Sequence, residues 1–244
     1  MNARYDTIGR GYADLRRPDP RIAALLGTRL DGATTVVNVG AGVGSYEPDD
    51  VRVVAVEPSR VMIDQRPQGI APAVQACAEA LPFADGSFDA ALAVLTMHHW
   101  SSIADGLREV RRVARRLVLL TWECYPKDFW LLDYLPQIET IDDDIFPPME
   151  QLADWLGDLD VAPLPVPHDC SDGFMCAYWR RPHSYLDANV RSAISTFAQH
   201  DADFVPGLQR LAADLQSGAW ERRYGHILEW PSYDLGYRIV TTRS

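Results

Sequence analysis

The feature that most limits what this chain can fold into is a β-branched run, Thr34-Thr35-Val36-Val37-Asn38-Val39, that ends abruptly in Gly40-Ala41-Gly42-Val43-Gly44. The run reads as a buried strand. The glycines read as a tight turn, because they let the backbone reverse and let a ligand approach its amides with no Cβ in the way.

The same rhythm continues through the first half of the chain. Residues 22–30 carry apolar side chains at helical spacing between Pro20 and Gly32. A second strand, 51–56, ends at Glu57-Pro58, and the connection leading to it, interrupted by Pro48 and two aspartates, leaves room for only an abbreviated helix. A helix over 59–66 with Ser59 as its cap follows, then a short strand at 73–76 and a strand at 88–95, apolar on both faces as a central parallel strand is. A helix at 103–114 and a strand at 116–122 complete the alternation, which implies a parallel sheet covered on both sides.

After Trp122 the pattern changes to segments rich in aromatics, Pro and Asp. Helices are expected at 149–156, 185–198 and 207–217, and strands at 161–166 and 235–241. The expected fold class is therefore α/β: a doubly wound, mostly parallel, seven-stranded Rossmann-like sheet. A single domain over 1–244 would comprise a cofactor-binding core at 1–122, lid or substrate-side insertions at 123–160 and 167–233, and last strands at 161–166 and 235–241.

Charge narrows the partners. A net charge of -11 repels phosphodiester backbones, and Arg108, Arg111, Arg112, Arg115 and Arg116 recur at helical spacing, as on a solvated helix face. No nucleic-acid partner is expected. No apolar run approaches the roughly 20 residues that cross a bilayer, and the first residues lack a secretory pattern, so no membrane partner and a cytoplasmic location are expected. Cys77, Cys124, Cys170 and Cys176 have no close pairing and read as reduced thiols. His168-Asp169-Cys170 with Cys176 fits no standard zinc spacing, and no metal is expected.

Glycine spacing separates two ligand classes. The dinucleotide fingerprint places a third glycine where Ser45 stands here, which counts against a nicotinamide-dependent oxidoreductase. The G-x-G-x-G form, Glu57 at the end of the second strand, and the segment Ala78-Glu79-Ala80-Leu81-Pro82-Phe83-Ala84-Asp85-Gly86-Ser87-Phe88-Asp89 together resemble the class I S-adenosylmethionine-dependent methyltransferases. The resemblance is to their small-molecule, methyltransferase type 11-like branch and spans residues 5–122. It implies S-adenosylmethionine as cofactor, with Gly40, Ala41, Gly42 and Gly44 beneath its methionine and ribose portion. Glu57, followed by Pro58, would meet the ribose hydroxyls, for which a carboxylate offers two acceptor oxygens. Ala78 and Glu79 would hold adenine beside Leu81, and Val94 and Leu95 would complete the site. Tyr5-Asp6, Tyr12 and Arg16 resemble the branch's opening helix, with Tyr12 and Arg16 folding over the cofactor. Cys77 stands where relatives commonly carry an Asp for the adenine amino group, and Asn38 where they often carry an acid.

Methyl transfer asks mainly for alignment of the acceptor. Thr96-Met97-His98-His99-Trp100 lies just past the carboxyl end of the fourth strand, where open α/β sheets place their ligands. A histidine titrates near neutrality and serves as a general base, and the resemblance places one at His99, with His98 beside it. Glu123, ending the fifth strand, is a third catalytic candidate. Trp130, Tyr134, Phe146, Phe174, Tyr178, Trp179 and Tyr185 are expected to form a lid over a partly apolar acceptor or the lid's own core. The expected activity is methyl transfer to O, N or C of a small molecule by a monomer or homodimer. A non-catalytic S-adenosylmethionine-binding protein remains an alternative.

Overall fold

The computed structural model of the protein describes residues 15–243. Its first described helix, α1 (Pro20–Arg29), starts at Asp19, whose carboxylate accepts from the Arg21 amide at 3.0 Å. Pro20 occupies the first helical position, where a missing N–H costs nothing. β1 (Thr35–Val39) and β2 (Arg52–Val56) follow, then α2 (Arg60–Asp64), β3 (Ala73–Val74), β4 (Phe88–Val94), α3 (Ile103–Val113) and β5 (Ala114–Trp122).

The central sheet has the order β3-β2-β1-β4-β5-β9-β6. Its first five strands pair in parallel, and β9 (Tyr237–Thr242) runs antiparallel to both β5 and β6 (Leu159–Pro163). The chain thus reverses between β3 and β4 around β1, and the crevice at that switch point opens at the carboxyl ends of the strands.

Alternate residues of each central strand enter different cores. Val36, Ala90, Leu92, Val118 and Leu120 pack with Ile22 and Leu26 of α1 on one face. Val37, Val39, Ala91, Ala93, Leu117 and Leu119 pack on the other face with Leu107, Val110 and Val113 of α3. Burial on both sides explains why these strands are almost wholly apolar. Asp89 anchors the opposite, amino-terminal edge. Both amides and both hydroxyls of Thr34 and Thr35 donate to its Oδ2 at 2.7–3.0 Å, and those bonds, the Thr34 hydroxyl first, hold its carboxyl well below the usual range.

Several local expectations change. No helix forms between β1 and β2; residues 42–46 are turn, and Pro48 and the aspartates give a helix nothing to propagate on. The third strand is only Ala73–Val74. The strand expected at 161–166 ends at Pro163, and Val166–Pro167, as β7, pairs instead with β8 (Ser232–Tyr233). Pro163 and Pro165 carry no N–H to continue a ladder. The helix expected at 185–198 is broken into a 3-10 turn, Pro182–Leu186, then α7 (Ala188–Ser192) and the start of α8 (Ser195–Ser217). α8 reaches further toward the amino terminus than expected and kinks at His200, with Pro206 inside.

Between β5 and β6 lie α4 (Leu131–Tyr134), α5 (Gln137–Ile145) and α6 (Met149–Leu156), and α9 (Ala219–Tyr224) follows α8. The aromatics of these insertions divide. Trp130, Trp179 and Tyr185 are fully buried among themselves and their neighbours, so they form the insertions' own core, each contributing about 2–3 kcal/mol through burial. The arginine series also divides. Arg108 and Arg115 are exposed, as a solvated face would be, but Arg112 donates to the Leu81 and Phe83 carbonyls and Arg111 to that of Leu156.

Candidate functional site

The glycine loop is pinned from two directions. The amides of Gly40 and Ala41 both donate to the Val56 carbonyl, at 2.8 and 3.0 Å. Glu57, almost fully buried, accepts the Gly42 amide at 2.9 Å on one oxygen and the Ser59 amide at 2.8 Å on the other. Gly40 has φ of 70°, and a Cβ there would overlap the Thr96 side chain. Only glycine satisfies both the turn and that approach.

A buried ion pair supports the loop from beneath. Arg66 donates to both Glu47 oxygens at 2.8 Å and to the Gly42 and Ala71 carbonyls, and Asn38 donates to Glu47 at 3.1 Å. The neutral amide at position 38 therefore meets an acid brought in from the loop. Gly44 has φ of 100° and packs against Ile70 and Arg66.

These elements enclose a cavity of ≈ 420 Å³. Of the residues expected at the cofactor, Arg16, Gly40, Ala41, Gly42, Glu57, Pro58, Ala78, Glu79, Val94 and Leu95 line it, and Gly44 is absent from its wall. Tyr5, Asp6 and Tyr12 lie outside the described residues. Cys77 and Gln75 also line the cavity. Glu79 has a further task. Its Oε1 accepts the Ser101 amide and hydroxyl and the Ser102 amide. Burial opposes its ionisation, but those bonds outweigh burial and lower its pKa.

Past β4 the chain turns sharply. Leu95 has φ of 47°, a left-handed conformation that costs a branched side chain of order 1 kcal/mol or more and collects at functional sites. It leads into the 3-10 turn Met97–His99. Trp100 lines the cavity and lies against Gly106 of α3, where a Cβ would overlap its ring.

Arg16, Leu95 and His99 also line a second, smaller chamber of ≈ 50 Å³, together with His98, Trp122, Asp142, Phe146, Phe174 and Tyr237. The His98 ring lies between His99, at 3.8 Å, and Phe146, at 4.4 Å between centroids. Asp142 of α5 is buried, and burial pushes its carboxyl up to about 6. Glu123 lines neither cavity. Its carboxylate accepts from Arg238 at 2.7 Å on the antiparallel strand β9, a pairing set by a neighbour distant in sequence.

The roof joins the start of the described chain to the insertion around residue 172. Arg16 donates to Asp172 at 2.5 Å, Tyr46 donates to the same carboxylate at 2.9 Å, and the Asp19 amide donates to the Tyr46 hydroxyl. Cys170 and Cys176 are buried in the same insertion, and burial pushes the Cys170 thiol up to about 12. His168 is half-buried and Asp169 exposed, with Asp169 paired to Arg21.

Sequence reasoning missed Glu47, Arg66 and Asp142, and placed Thr96 and Trp100 at the ligand edge without giving either a role of its own. Asp142 carried a signal. It lies four residues after Ile138, on the helix's buried side, although within Asp142-Asp143-Asp144 it looks like a solvated charge run.

A family model described as a methyltransferase domain matches residues 37–120. A solved structure from Anabaena variabilis ATCC 29413, named as a methyltransferase from an antibiotic biosynthesis pathway, is 35% identical, covers 94% of this chain and 99% of its own, and superimposes with a TM-score of 0.87. The chain belongs to the class I S-adenosylmethionine-dependent methyltransferases. The YcgJ protein of Bacillus subtilis, 17% identical over 92% of this chain and 99% of its own with a TM-score of 0.57, shares the fold. YafE of Escherichia coli is 41% identical over 49 residues, which span 19% of this chain and 24% of YafE.

The cofactor of this methyltransferase is S-adenosylmethionine, and the cavity fits it. Its volume lies in the range of about 300–1,000 Å³ usual for small-molecule sites. Glu57 lines the cavity with a carboxylate already oriented by the Gly42 and Ser59 amides, and a carboxylate offers two acceptor oxygens to a vicinal diol. Among the described residues no helix is long and apolar enough to cross a membrane.

Proposed function

We propose that this methyltransferase moves the methyl group of S-adenosylmethionine to an oxygen, nitrogen or carbon of a small-molecule acceptor seated in the smaller chamber. One observation carries the reading: the two cavities share Arg16, Leu95 and His99 as lining. The bound cofactor supplies a methyl on a sulfonium, with a neutral leaving group. The chain's part is to hold the acceptor in line and exclude water, an effect that reaches about 7 kcal/mol or more when alignment is good.

In this reading His99, which faces both cavities, takes a proton from the acceptor where one must leave. His98, held between His99 and Phe146, fixes its orientation. Gly40, Ala41, Gly42, Glu57, Pro58, Ala78, Glu79, Val94, Leu95 and Arg16 contact the cofactor. The division into a core at 1–122 and substrate-side insertions at 123–160 and 167–233 belongs to the same proposal. So does a cytoplasmic monomer or homodimer that leaves nucleic acid alone, which the net charge of -11 supports.

Calorimetry with S-adenosylmethionine and S-adenosylhomocysteine tests the cofactor site, and binding of both is expected. Failure of the folded protein to bind either overturns the reading. Mass spectrometry of an acceptor library incubated with enzyme and cofactor should show products heavier by one methylene. Cofactor binding without any product favours a non-catalytic S-adenosylmethionine-binding protein.

A further inference from the structure

The smaller chamber holds a buried carboxylate, Asp142, that no described cation pairs with. Asp142 accepts the Tyr125 hydroxyl on Oδ2, and the Thr196 hydroxyl reaches Oδ1 only at a long 3.4 Å. No salt bridge to Asp142 occurs among the described residues. Burying a charge without a counter-ion costs several kcal/mol. Two hydroxyl bonds offset part of that cost and do not explain why a carboxyl, rather than an amide, stands there.

The walls supply the second half of the case. Trp122, Phe146, Phe174 and Tyr237 face the same space as Asp142, and aromatic faces attract cations through their quadrupoles, most strongly when desolvated. At ≈ 50 Å³ the chamber is the narrower of the two cavities and suits a small polar head group. The rest of an acceptor would then extend toward Arg16, Leu95 and His99, where the chamber meets the larger cavity.

We infer that Asp142 is the anionic anchor of the acceptor chamber, and that the methyl acceptor is a small molecule carrying a protonated amine whose ammonium lies among these aromatic rings against the Asp142 carboxylate. The inference rests on the acceptor-chamber reading. The anchored ammonium is a recognition group; a nitrogen in that form has no lone pair to accept a methyl, so a different atom of the molecule reacts.

The charged and titratable groups around Asp142 are Arg16, His98 and His99 across the chamber, Tyr125, Tyr237 and Cys176 packed beside it, and Asp143 next in the chain. Arg16 is committed to Asp172. With its carboxyl pushed up to about 6, Asp142 is ionised at neutral pH and loses its charge in mild acid, so ammonium binding should weaken as pH falls through that value.

The test uses benzylamine and benzyl alcohol, alike in shape and different in charge, titrated by ligand-observed NMR into the full chain saturated with S-adenosylhomocysteine. At about pH 7.5 the amine should bind about tenfold more tightly than the alcohol, and Asp142→Asn should bring the two within about twofold, with S-adenosylhomocysteine affinity unchanged. In the wild-type protein the preference should also shrink as pH falls through about 6, a measurement that stands if the variant does not fold. Equal affinity of the two probes, binding of neither, or a preference that survives Asp142→Asn overturns the inference. Failure to bind S-adenosylhomocysteine defeats instead the methyltransferase reading on which it rests.

Discussion

The cofactor cavity and the smaller chamber, proposed to seat the acceptor, share three residues but are assembled in opposite ways. Much of the cofactor cavity is lined by three short stretches at the carboxyl ends of β1, β2 and β4 and by residues 75–79 after β3. Its hydrogen bonds run largely through backbone amides: Gly40 and Ala41 to Val56, Gly42 and Ser59 to Glu57. The acceptor chamber gathers side chains from the turn after β4, from β5, α5, the segment around Phe174, the start of α8 and β9. Backbone geometry is fixed by the fold and tolerates little sequence change, whereas a wall of side chains is revised one residue at a time. In the proposed reading the methyl donor is thus met by the backbone of the sheet, and selection of the acceptor falls to the insertions.

The strongest way to break this contrast is at Gly40. Gly40→Val places a Cβ inside Thr96 at a φ of 70° and should weaken S-adenosylhomocysteine binding on the order of 10³-fold, about 4 kcal/mol, by calorimetry. An unchanged affinity would mean that the loop does not need the close approach assigned to it. Next is the support beneath the loop. Arg66→Ala leaves the buried Glu47 unpaired and should lower stability in urea by about 3–4 kcal/mol.

The acceptor side predicts a pH signature rather than a collapse. The folded Asp142 carboxyl titrates near 6, above its ordinary value of 3.8, so the folded state binds the proton more tightly than the unfolded state. Stability relative to Asp142→Asn is therefore full below about pH 4 and is lost as pH rises through about 6, by about 3 kcal/mol in all. Denaturant midpoints of both proteins between these limits measure it, and a parallel pH course would show that Asp142 does not titrate as its burial requires.

Smaller effects sharpen the division of labour. His99→Ala should lower kcat about 100-fold once an acceptor is in hand, the low end of general-base effects, while cofactor affinity changes little. Loss of cofactor binding instead would move His99 to the donor's side of the boundary. Glu123→Ala should cost at most about 1 kcal/mol and leave turnover unchanged, because a half-exposed pair with Arg238 is worth little.

The donor side was the legible side. The strand 34–39 and its glycines, the acid at Glu57 and the segment from Ala78 to Asp89 lie close together in the sequence, and short-range turn chemistry and period-two burial leave local marks. Asp89 itself closes the far edge of β1 and lines neither the cofactor cavity nor the smaller chamber. Glu123 shows where local reading stopped. Its position at the end of β5 was apparent, yet its partner Arg238 comes from β9, and no pattern near residue 123 announces it. Asp142 sits within an acidic triplet, and it is the turn of α5 that carries it inward.

The sequence by itself determined the doubly wound sheet, the strand-end glycine loop and the class of ligand beneath it, because periodicity and turn geometry act between residues a few positions apart. Only the tertiary structure decided which carboxylate lines the smaller chamber, which aromatics line it and which merely fill the insertions. Those choices depend on contacts such as Tyr125–Asp142–Thr196 and Arg16–Asp172, made across 17 to 156 residues of chain. Closing loops of that length leaves no local periodicity to read, and the packing of the whole fold selects the pairs.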